Sequence, residues 1–419
     1  MSQAHENPVV TAREEAWAVP LEEIDVSRED RFRDDTFWPF FERLRREDPV
    51  HYCPESYHGP YWSVTKFRDI MHVETRPAIF SSEPAITIAE PAEDFPLPMF
   101  IAMDPPRHDQ QRKVVSPAVA PSNLAKLEGT IRGRVQNMLD SLPRNETFDW
   151  VDRVAIELTS QTLATLLDFP FEERRKLTRW SDIATSDPER GTGRGLVNTQ
   201  EERRAELLEC LEAFTELWNE RVNSEPGNDL ISMLAHGEST RNMDRTEYLG
   251  NLILLIVGGN DTTRNSISGG VVALNKYPEQ YRKLREDPSL IKSMVPEIIR
   301  WQTPLAHMRR IATEDTELSG KTIRKGDKVV MWYVSGNRDE DEIEQPDEFI
   351  IDRPNPRHHL SFGYGIHRCM GNRVGELQLR ILWEEIMQRF DTIEVMGEPE
   401  RVPSSFVHGY TRLPVRIPA

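Results

Sequence analysis

Cysteine is scarce in this chain. Its 419 residues include three, Cys53, Cys210 and Cys369, and their odd number and wide separation exclude a disulfide framework and point to a reducing compartment, the cytoplasm by default. Long apolar runs are missing as well. The most apolar stretch inside the longest helical segment, Leu252 to Val257, falls far short of the roughly 20 residues that a bilayer span requires. The sequence opens without a basic segment followed by an apolar core, so neither a secretory signal nor a membrane anchor is expected. Positive charge is in deficit: 52 Lys and Arg stand against 70 Asp and Glu, a net −18 at pH 7. That balance favours solubility and makes nucleic acid an unexpected partner. Length does not choose between two or three average domains and one large core.

What is present concentrates around His359 to Gly371, His-Leu-Ser-Phe-Gly-Tyr-Gly-Ile-His-Arg-Cys-Met-Gly. Glycines at 363, 365 and 371 surround Cys369 and mark a backbone that turns tightly or approaches something closely. From Met370 onward Val374, Leu377, Ile381, Leu382, Ile386 and Phe390 recur at helical spacing, so a helix should lay an apolar stripe on a core. Cys369 then lies at a helix N-terminus, where free N–H groups and the macrodipole favour a thiolate, which is a metal ligand. A lone cysteine is more commonly a small buried hydrophobe; the glycines and His367 around this one argue otherwise.

Along the chain, residues 1–35 read as a mobile, charged lead-in before a first helix at Phe37 to Glu47. Tyr61 to Val64 reads as a strand and Lys66 to Val73 as a short helix. Ser81 to Phe100 carries Pro84, Pro91, Pro96 and Pro98; it cannot be regular helix, and its length suits a pocket lid. In Met103-Asp104-Pro105-Pro106-Arg107-His108, Asp104 is placed to cap a helix that puts His108 and Arg112 on one face. Helical periodicity runs from Asn123 to about Leu167, then over Glu172 to Ala184 and Thr199 to Val222, the last two separated by an exposed, mobile loop at Ser186 to Asn198.

The long helix is expected from Asp244 to Tyr277, with Asp244 and Glu247 as a capping box and Pro278 as the stop. Its middle, Gly258-Gly259-Asn260-Asp261-Thr262-Thr263, places two helix-weakening glycines beside side chains that compete for backbone hydrogen bonds. Close helix crossing explains small residues there; the glycines' cost argues instead that something flat presses on the helix, with a local distortion that admits water. Glu297-Ile298-Ile299-Arg300 is an ion pair one turn apart, preceded by Pro296, which either starts that helix or kinks it. Thr303-Pro304-Leu305-Ala306-His307-Met308-Arg309-Arg310 follows, and His307 reads as a hydrogen-bonded wall residue rather than a metal ligand.

Phe-Gly-x-Gly-x-His-x-Cys-x-Gly, with Phe362, Gly363, Gly365, His367, Cys369 and Gly371 in register, resembles the haem-ligand loop of the cytochrome P-450 monooxygenases. The other segments resemble that family in the same order across nearly the whole chain. The resemblance implies one domain over 1–419, mainly α with small β-sheets, holding haem b between the long helix and the cysteine loop. It implies Cys369 as proximal iron ligand, a thiolate that tunes iron toward O–O cleavage. His108, Arg112, Arg310 and His367 become partners of the haem propionates, with Phe362 and Gly371 in the haem-binding loop. Asp261 and Thr262 take the places of the family's acid–alcohol pair, Thr262 hydrogen-bonding dioxygen and Asp261 relaying protons. Glu297 and Arg300, tied to Arg353, are scaffold, and the loop at 186–198 becomes a movable lid.

The wording of the central helix, of 303–310 and of the cysteine loop resembles the soluble bacterial alkane-hydroxylating branch, which oxidises terminal methyl groups of medium-chain alkanes and related fatty acids or alcohols. A narrow pocket is then expected, with Ile86, Ile88, Leu255, Gly259, Leu305, Ala306, Met308 and Phe406 as walls. The family implies electrons from NAD(P)H through a flavin reductase and a two-iron ferredoxin, with O₂ and a hydrophobic small molecule as substrates in a bacterial cytoplasm. Arg107, Lys113, Arg357, Arg368 and Arg373 form either a basic island that steers an acidic ferredoxin or ordinary solvated surface. A terpenoid hydroxylase, a peroxide-driven enzyme and a haem sensor are the alternatives.

Overall fold

The computed structural model describes residues 8–419, and its longest element is the helix Arg245–Lys276. Asp244 caps it, accepting from the Glu247 amide at 2.9 Å. The reciprocal half of the expected capping box is missing, because the Glu247 carboxylate turns away to Gln111 and Arg107. One end of this helix, through Leu249, Leu252 and Ile256, packs with Leu163, Trp180 and Phe214. The other, through Ile267, Val271 and Leu274, packs with Ile298, Leu382 and Trp383. Each half thus belongs to a different core, and the helix crosses from one to the other through its polar, glycine-bearing middle.

A five-stranded sheet stands at one side, in the order Val50–Cys53, Tyr61–Val64, Lys328–Met331, Met308–Ala312 and Phe80–Ser81. All its pairings are antiparallel except that of Tyr61–Val64 with Lys328–Met331. Three smaller sheets complete the β-structure among the described residues. The architecture is mainly helical with small sheets, as the family resemblance implies.

Several local expectations need correction. Of the segment read as a mobile lead-in, residues 1–7 lie outside the described residues, and the remainder is anchored through Ala12, Ala16, Ile24, Val26 and Phe32. Pro8–Ala18 and Glu29–Arg33 are helical, Ile24, Val26 and Phe32 are buried, and the Arg31 guanidinium lies 3.5 Å from the Phe40 ring centre. The charges mislead because they decorate one face of a chain whose other face is apolar. The helical stretch Asn123 to Leu167 is interrupted: Pro121–Asp140 and Glu157–Leu167 are separate helices, joined by the strand Thr147–Asp149 and a wide π-type segment Val151–Ile156. Asp104 does not cap the helix Arg107–Val115; its carboxylate accepts from the Ser81 hydroxyl and the Ser82 amide, at 2.5 and 2.9 Å. Pro296 lies inside the helix Ile291–Gln302, so that helix does not start there.

The scaffold beneath the cysteine loop is an ion triad in which Glu297 and Arg300 are fully buried and Arg353 nearly so. Glu297 accepts from Arg300 at 2.7 and 2.8 Å and from Arg353 Nε at 2.9 Å. Arg300 spends its remaining donors on the carbonyls of Asn337, Pro346 and Glu348. The Ile350 amide also donates to Glu297, at 2.9 Å. The triad stitches helix Ile291–Gln302 to the irregular 337–353 stretch that leads into the loop. Because every donor is satisfied, it is stable as a unit and intolerant of losing a member. Glu297→Ala leaves two buried guanidinium groups without their carboxylate, and urea denaturation is expected to show a loss of about 3–5 kcal/mol; a change below about 1 kcal/mol would show the triad to be peripheral.

Candidate active site

The sulfur of Cys369 faces a cavity of about 880 Å³ that lies between the central helix and the cysteine loop. The loop owes its shape to two residues in the left-handed region, Gly363 (φ +66) and Gly365 (φ +63). At Gly365 the requirement is also spatial, since a Cβ there would sit 2.3 Å from the Glu74 carbonyl oxygen. The Cys369 amide donates to the Phe362 carbonyl at 2.7 Å, closing the loop ahead of the helix Asn372–Arg389. Sulfur accessibility is high although protein surrounds the residue, because its open face looks into the cavity.

The amides at the helix start favour a thiolate at Cys369, as expected, but burial opposes them. Burial pushes its thiol above the ordinary value, and the amides of Gly371 and Asn372 together with Arg112 and Arg368 only partly offset this. A cation beside the sulfur would supply what they do not.

Arg112, Arg310 and His367 line one edge of the cavity, and His108 is buried behind His367 without lining it. The two imidazoles stack at 4.1 Å between ring centres. His108 Nδ1 pairs with Asp109 at 2.7 Å and His367 Nε2 with the Ser82 hydroxyl at 2.9 Å. The other nitrogens, His108 Nε2 and His367 Nδ1, are buried with no hydrogen-bond partner among the described residues. Two orphaned ring nitrogens beside two guanidinium groups suit a ligand carrying two carboxylates. Phe362, Gly363 and Gly371 line the cavity on the cysteine side, and Gly258, Gly259, Thr262 and Thr263 on the other. A Cβ on Gly258 would meet nothing within 4 Å, so the helix backbone is bare toward the cavity there. These residues fit haem b: a thiol donor, two wall sets of small or aromatic residues, and a basic edge.

Glu74 escaped the sequence reading. Buried at the end of helix Phe67–Glu74, it accepts from the Tyr333 hydroxyl and from the Tyr364 amide, with Arg310 Nη2 at 3.6 Å. It therefore ties the cysteine loop to the basic edge. Nothing in a charged position on a short helix signals this.

The central helix is regular α across residues 258–263; the expected distortion is absent. The Thr262 hydroxyl donates back to the Gly258 carbonyl at 2.9 Å, which accommodates the polar residue without opening the helix. Thr262 lines the cavity. Asp261, its neighbour, does not. It is fully buried on the adjacent face, where Oδ1 accepts from Arg264 at 2.6 Å and Oδ2 has no partner among the described residues. The same Arg264 nitrogen donates to Asp182 at 2.7 Å, and Arg194 lies 3.9 Å from Asp182. Arg264 was missed, although its spacing of three residues from Asp261 signals a helical pair; Asp182 and Arg194 carry no such signal, because only folding brings them there.

Of the expected wall residues, Ile86, Ile88, Leu255, Gly259, Leu305, Met308 and Phe406 line the cavity. Ala306 does not. Leu305 bridges Val407 in extended geometry, so the next side chain points the other way, into a cluster with Val330 and Trp332. His307 is a wall residue bonded on both sides, with Nδ1 2.8 Å from the Ser405 carbonyl and Nε2 3.1 Å from the Ile88 amide. Burial depresses its pKa to about 3. Phe100, Leu163, Leu254 and Val257 also line the space.

The 186–198 loop is less exposed than expected. Ser186, Thr192 and Val197 are buried, the Gly193 amide donates to the Pro403 carbonyl at 3.2 Å, and Arg190 is pinned by Glu29 and His58. On the cysteine side the basic island is partly neutralised. Arg107 pairs with Glu247 and Arg357 with Glu376, both at 2.7 Å, leaving Lys113, Arg368 and Arg373 without an ion pair among the described residues.

A family model described as "Cytochrome P450" matches residues 190–414. The solved structure of CYP153D17 from Sphingomonas sp. PAMC 26605 is 50% identical, with a TM-score of 0.88, covering 94% of this chain and 99% of that one. Linalool 8-monooxygenase of Pseudomonas putida is 36% identical over 94% of this chain and 99% of its own length. A methyl-branched lipid omega-hydroxylase of Mycobacterium bovis is 34% identical over 95% of each.

Burial raises the Asp261 carboxyl from its ordinary range to about 6, against the attraction of Arg264. The folded chain then holds this proton more tightly than the unfolded one, so the associated stability is present at low pH and is lost as pH rises from about 4 through about 6. The stability difference between wild type and Asp261→Asn, measured by urea denaturation, should shift on the order of 2–3 kcal/mol over that interval. Buried His307, His359 and His408, whose pKa values are depressed by burial, act in the opposite sense and cancel in the comparison. A flat difference would mean that Asp261 is ionised throughout.

Proposed function

The chain belongs to the cytochrome P450 family, and from that premise we propose that it hydroxylates the terminal methyl group of medium-length chain substrates: alkanes and the related fatty acids or alcohols. The observation that carries this reading is the cavity wall. Between Cys369 and a polar rim at Asp94, Glu201 and Arg204, its surface is supplied mainly by aliphatic and aromatic residues, among them Leu97, Phe100, Leu163, Leu254, Leu255 and Leu305. Such a wall favours a substrate with a long apolar body and supplies few polar contacts to arrest it midway. The likeness to a protein named for omega-hydroxylation of methyl-branched lipids supports the same reaction class. The likeness to a linalool 8-monooxygenase favours a second reading, hydroxylation of a terpenoid.

Haem b, when bound, supplies reductive activation of O₂, so that R–H, O₂, two electrons and two protons give R–OH and water. In our reading Cys369 holds the iron, and His108, Arg112, Arg310 and His367 hold the propionates, with Phe362 and Gly371 against the ring. Thr262 presents a hydroxyl to the oxygen side of the cavity while its proton is held by the Gly258 carbonyl. Asp261, one residue away and partly protonated near neutral pH, is the proton store, and Arg264 fixes its orientation. Glu297, Arg300 and Arg353 keep the cysteine loop in register. Selectivity for a chain end is geometric, since terminal C–H bonds are the strongest on the chain and only walls can direct chemistry there.

The electrons are assigned to NAD(P)H through a flavin reductase and a two-iron ferredoxin, met by Lys113, Arg368 and Arg373. Among the described residues no helix is long and apolar enough to cross a membrane; a bacterial cytoplasmic setting is part of the proposal.

Spectral titration of the ferric protein with alkanes and fatty acids of graded length should show tightest binding for medium chains, and product analysis should find the terminal alcohol. Preference for cyclic or branched terpenoids over every linear chain would favour the second reading. Thr262→Ala should lower product formation by about 100-fold while NAD(P)H consumption persists; full retention of product with peroxide as oxidant would mark a peroxide-driven enzyme instead.

A further inference from the structure

We propose that Arg204 is a docking point for the carboxylate of an acid-terminated chain, with Asp94 as the group that the substrate displaces, so that this pair sets the preference for fatty acids over neutral chains. The inference rests on the chain-hydroxylase reading and adds to it where the far end of the substrate is held.

The cavity extends from Cys369 and Thr262 to a rim formed by the 91–97 segment and the first turns of helix Gln200–Val222. Four arginines besides Arg204 touch the cavity, and each has other work. Arg112 and Arg310 stand at the basic edge described above. Arg190 is held by Glu29 and His58. Arg203 donates to the carbonyls of Ile183 and Ala184, at 3.1 and 2.8 Å. Arg204 alone is held by a partner it can readily exchange: its Nη1 meets Asp94 Oδ2 at 3.1 Å, and the Asp94 side chain is 80% exposed. Exposed pairs of this kind are weak and screened by salt.

The guanidinium would not collapse when Asp94 leaves, because it also lies 4.7 Å from the centre of the Phe95 ring, an attraction that does not depend on the carboxylate. An incoming carboxylate whose tail is buried in the apolar shaft acts at high effective concentration on Arg204. Asp94, on an irregular segment, has solvent to swing into. The other acids at the rim sharpen the need for a cation. Glu201 lines it, and Asp187 is engaged by the Gln200 side chain at 3.0 Å, so an incoming carboxylate meets like charge beside Arg204, and the two other arginines nearby, Arg190 and Arg203, are already engaged.

Calorimetric titration of the haem-loaded protein with dodecanoate and with neutral 1-dodecanol separates charge from chain. Arg204→Gln is expected to weaken dodecanoate by about tenfold or more and leave dodecanol within about twofold. Asp94→Asn, which removes the competitor, should tighten dodecanoate several-fold without moving dodecanol, and added salt should erode affinity for the acid in wild type and Asp94→Asn but not in Arg204→Gln. Both positions are exposed, so neither variant threatens folding. Equal effects on the two ligands, no effect of Arg204→Gln, or weaker dodecanoate binding in Asp94→Asn would overturn the proposal. Wild-type protein that binds dodecanol but not dodecanoate defeats this inference alone; protein that binds neither defeats the chain-hydroxylase reading and this inference with it.

Discussion

A cysteine sulfur held at the start of a helix and turned into a cavity is the constraint around which this molecule is arranged. The protein around Cys369 raises its thiol by desolvation, while the Gly371 and Asn372 amides and the nearby arginines pull the other way. A cation beside the sulfur would add to what those amides and arginines supply. The protein also fixes the position of the sulfur. The rest of the architecture supplies that position. Gly365 lets the loop lie against the Glu74 backbone, the Phe362 carbonyl holds the cysteine amide, and the Glu297 triad anchors the chain that leads in. Helix Asn372–Arg389, packed through Ile381, Leu382 and Trp383, fixes the far side.

The second organising fact is that adjacent residues on the central helix face different surroundings. Successive residues on an α-helix are about 100° apart, which suffices to put Thr262 on the cavity wall and Asp261 in a dry ion cluster with Arg264, Asp182 and Arg194. The alcohol is thus available to ligands and the acid is shielded from them. Proton exchange and substrate binding can be tuned separately, although the two side chains are neighbours in sequence. A regular helix achieves this separation; a distorted one is not needed.

Local pattern carried much of this organisation, and its failures have a common cause. The Cys369 loop, the strand at Tyr61–Val64 and the Glu297–Arg300 pair were readable because each is encoded within a few residues. Ala306 was misassigned because a stretch of wall residues was taken as a block, whereas an extended backbone alternates its faces. The lead-in was misread as mobile because its charges dominate its composition, although Ile24, Val26 and Phe32 are what fold it down. Glu74, Asp182 and Arg194 could not be found in advance. Their roles arise from partners distant along the chain, and a single sequence carries no trace of such pairings until the fold assembles them.

The polar groups along the cavity wall explain why its rim should dominate selection. His307 is already bonded to Ser405 and Ile88, Thr262 to Gly258 and Arg203 to two carbonyls. A substrate passing them gains little hydrogen bonding, since each would have to give up a bond it already makes. Binding along the shaft therefore scales with apolar surface and discriminates by only a small amount per methylene. Sharper discrimination has to come from a place where the wall is not self-satisfied and haem has no claim, and that is the exchangeable Arg204–Asp94 pair at the rim. Under the proposed reading, a chain anchored there by its far end would have its methyl placed by its length, which would turn a weakly selective apolar shaft into a ruler.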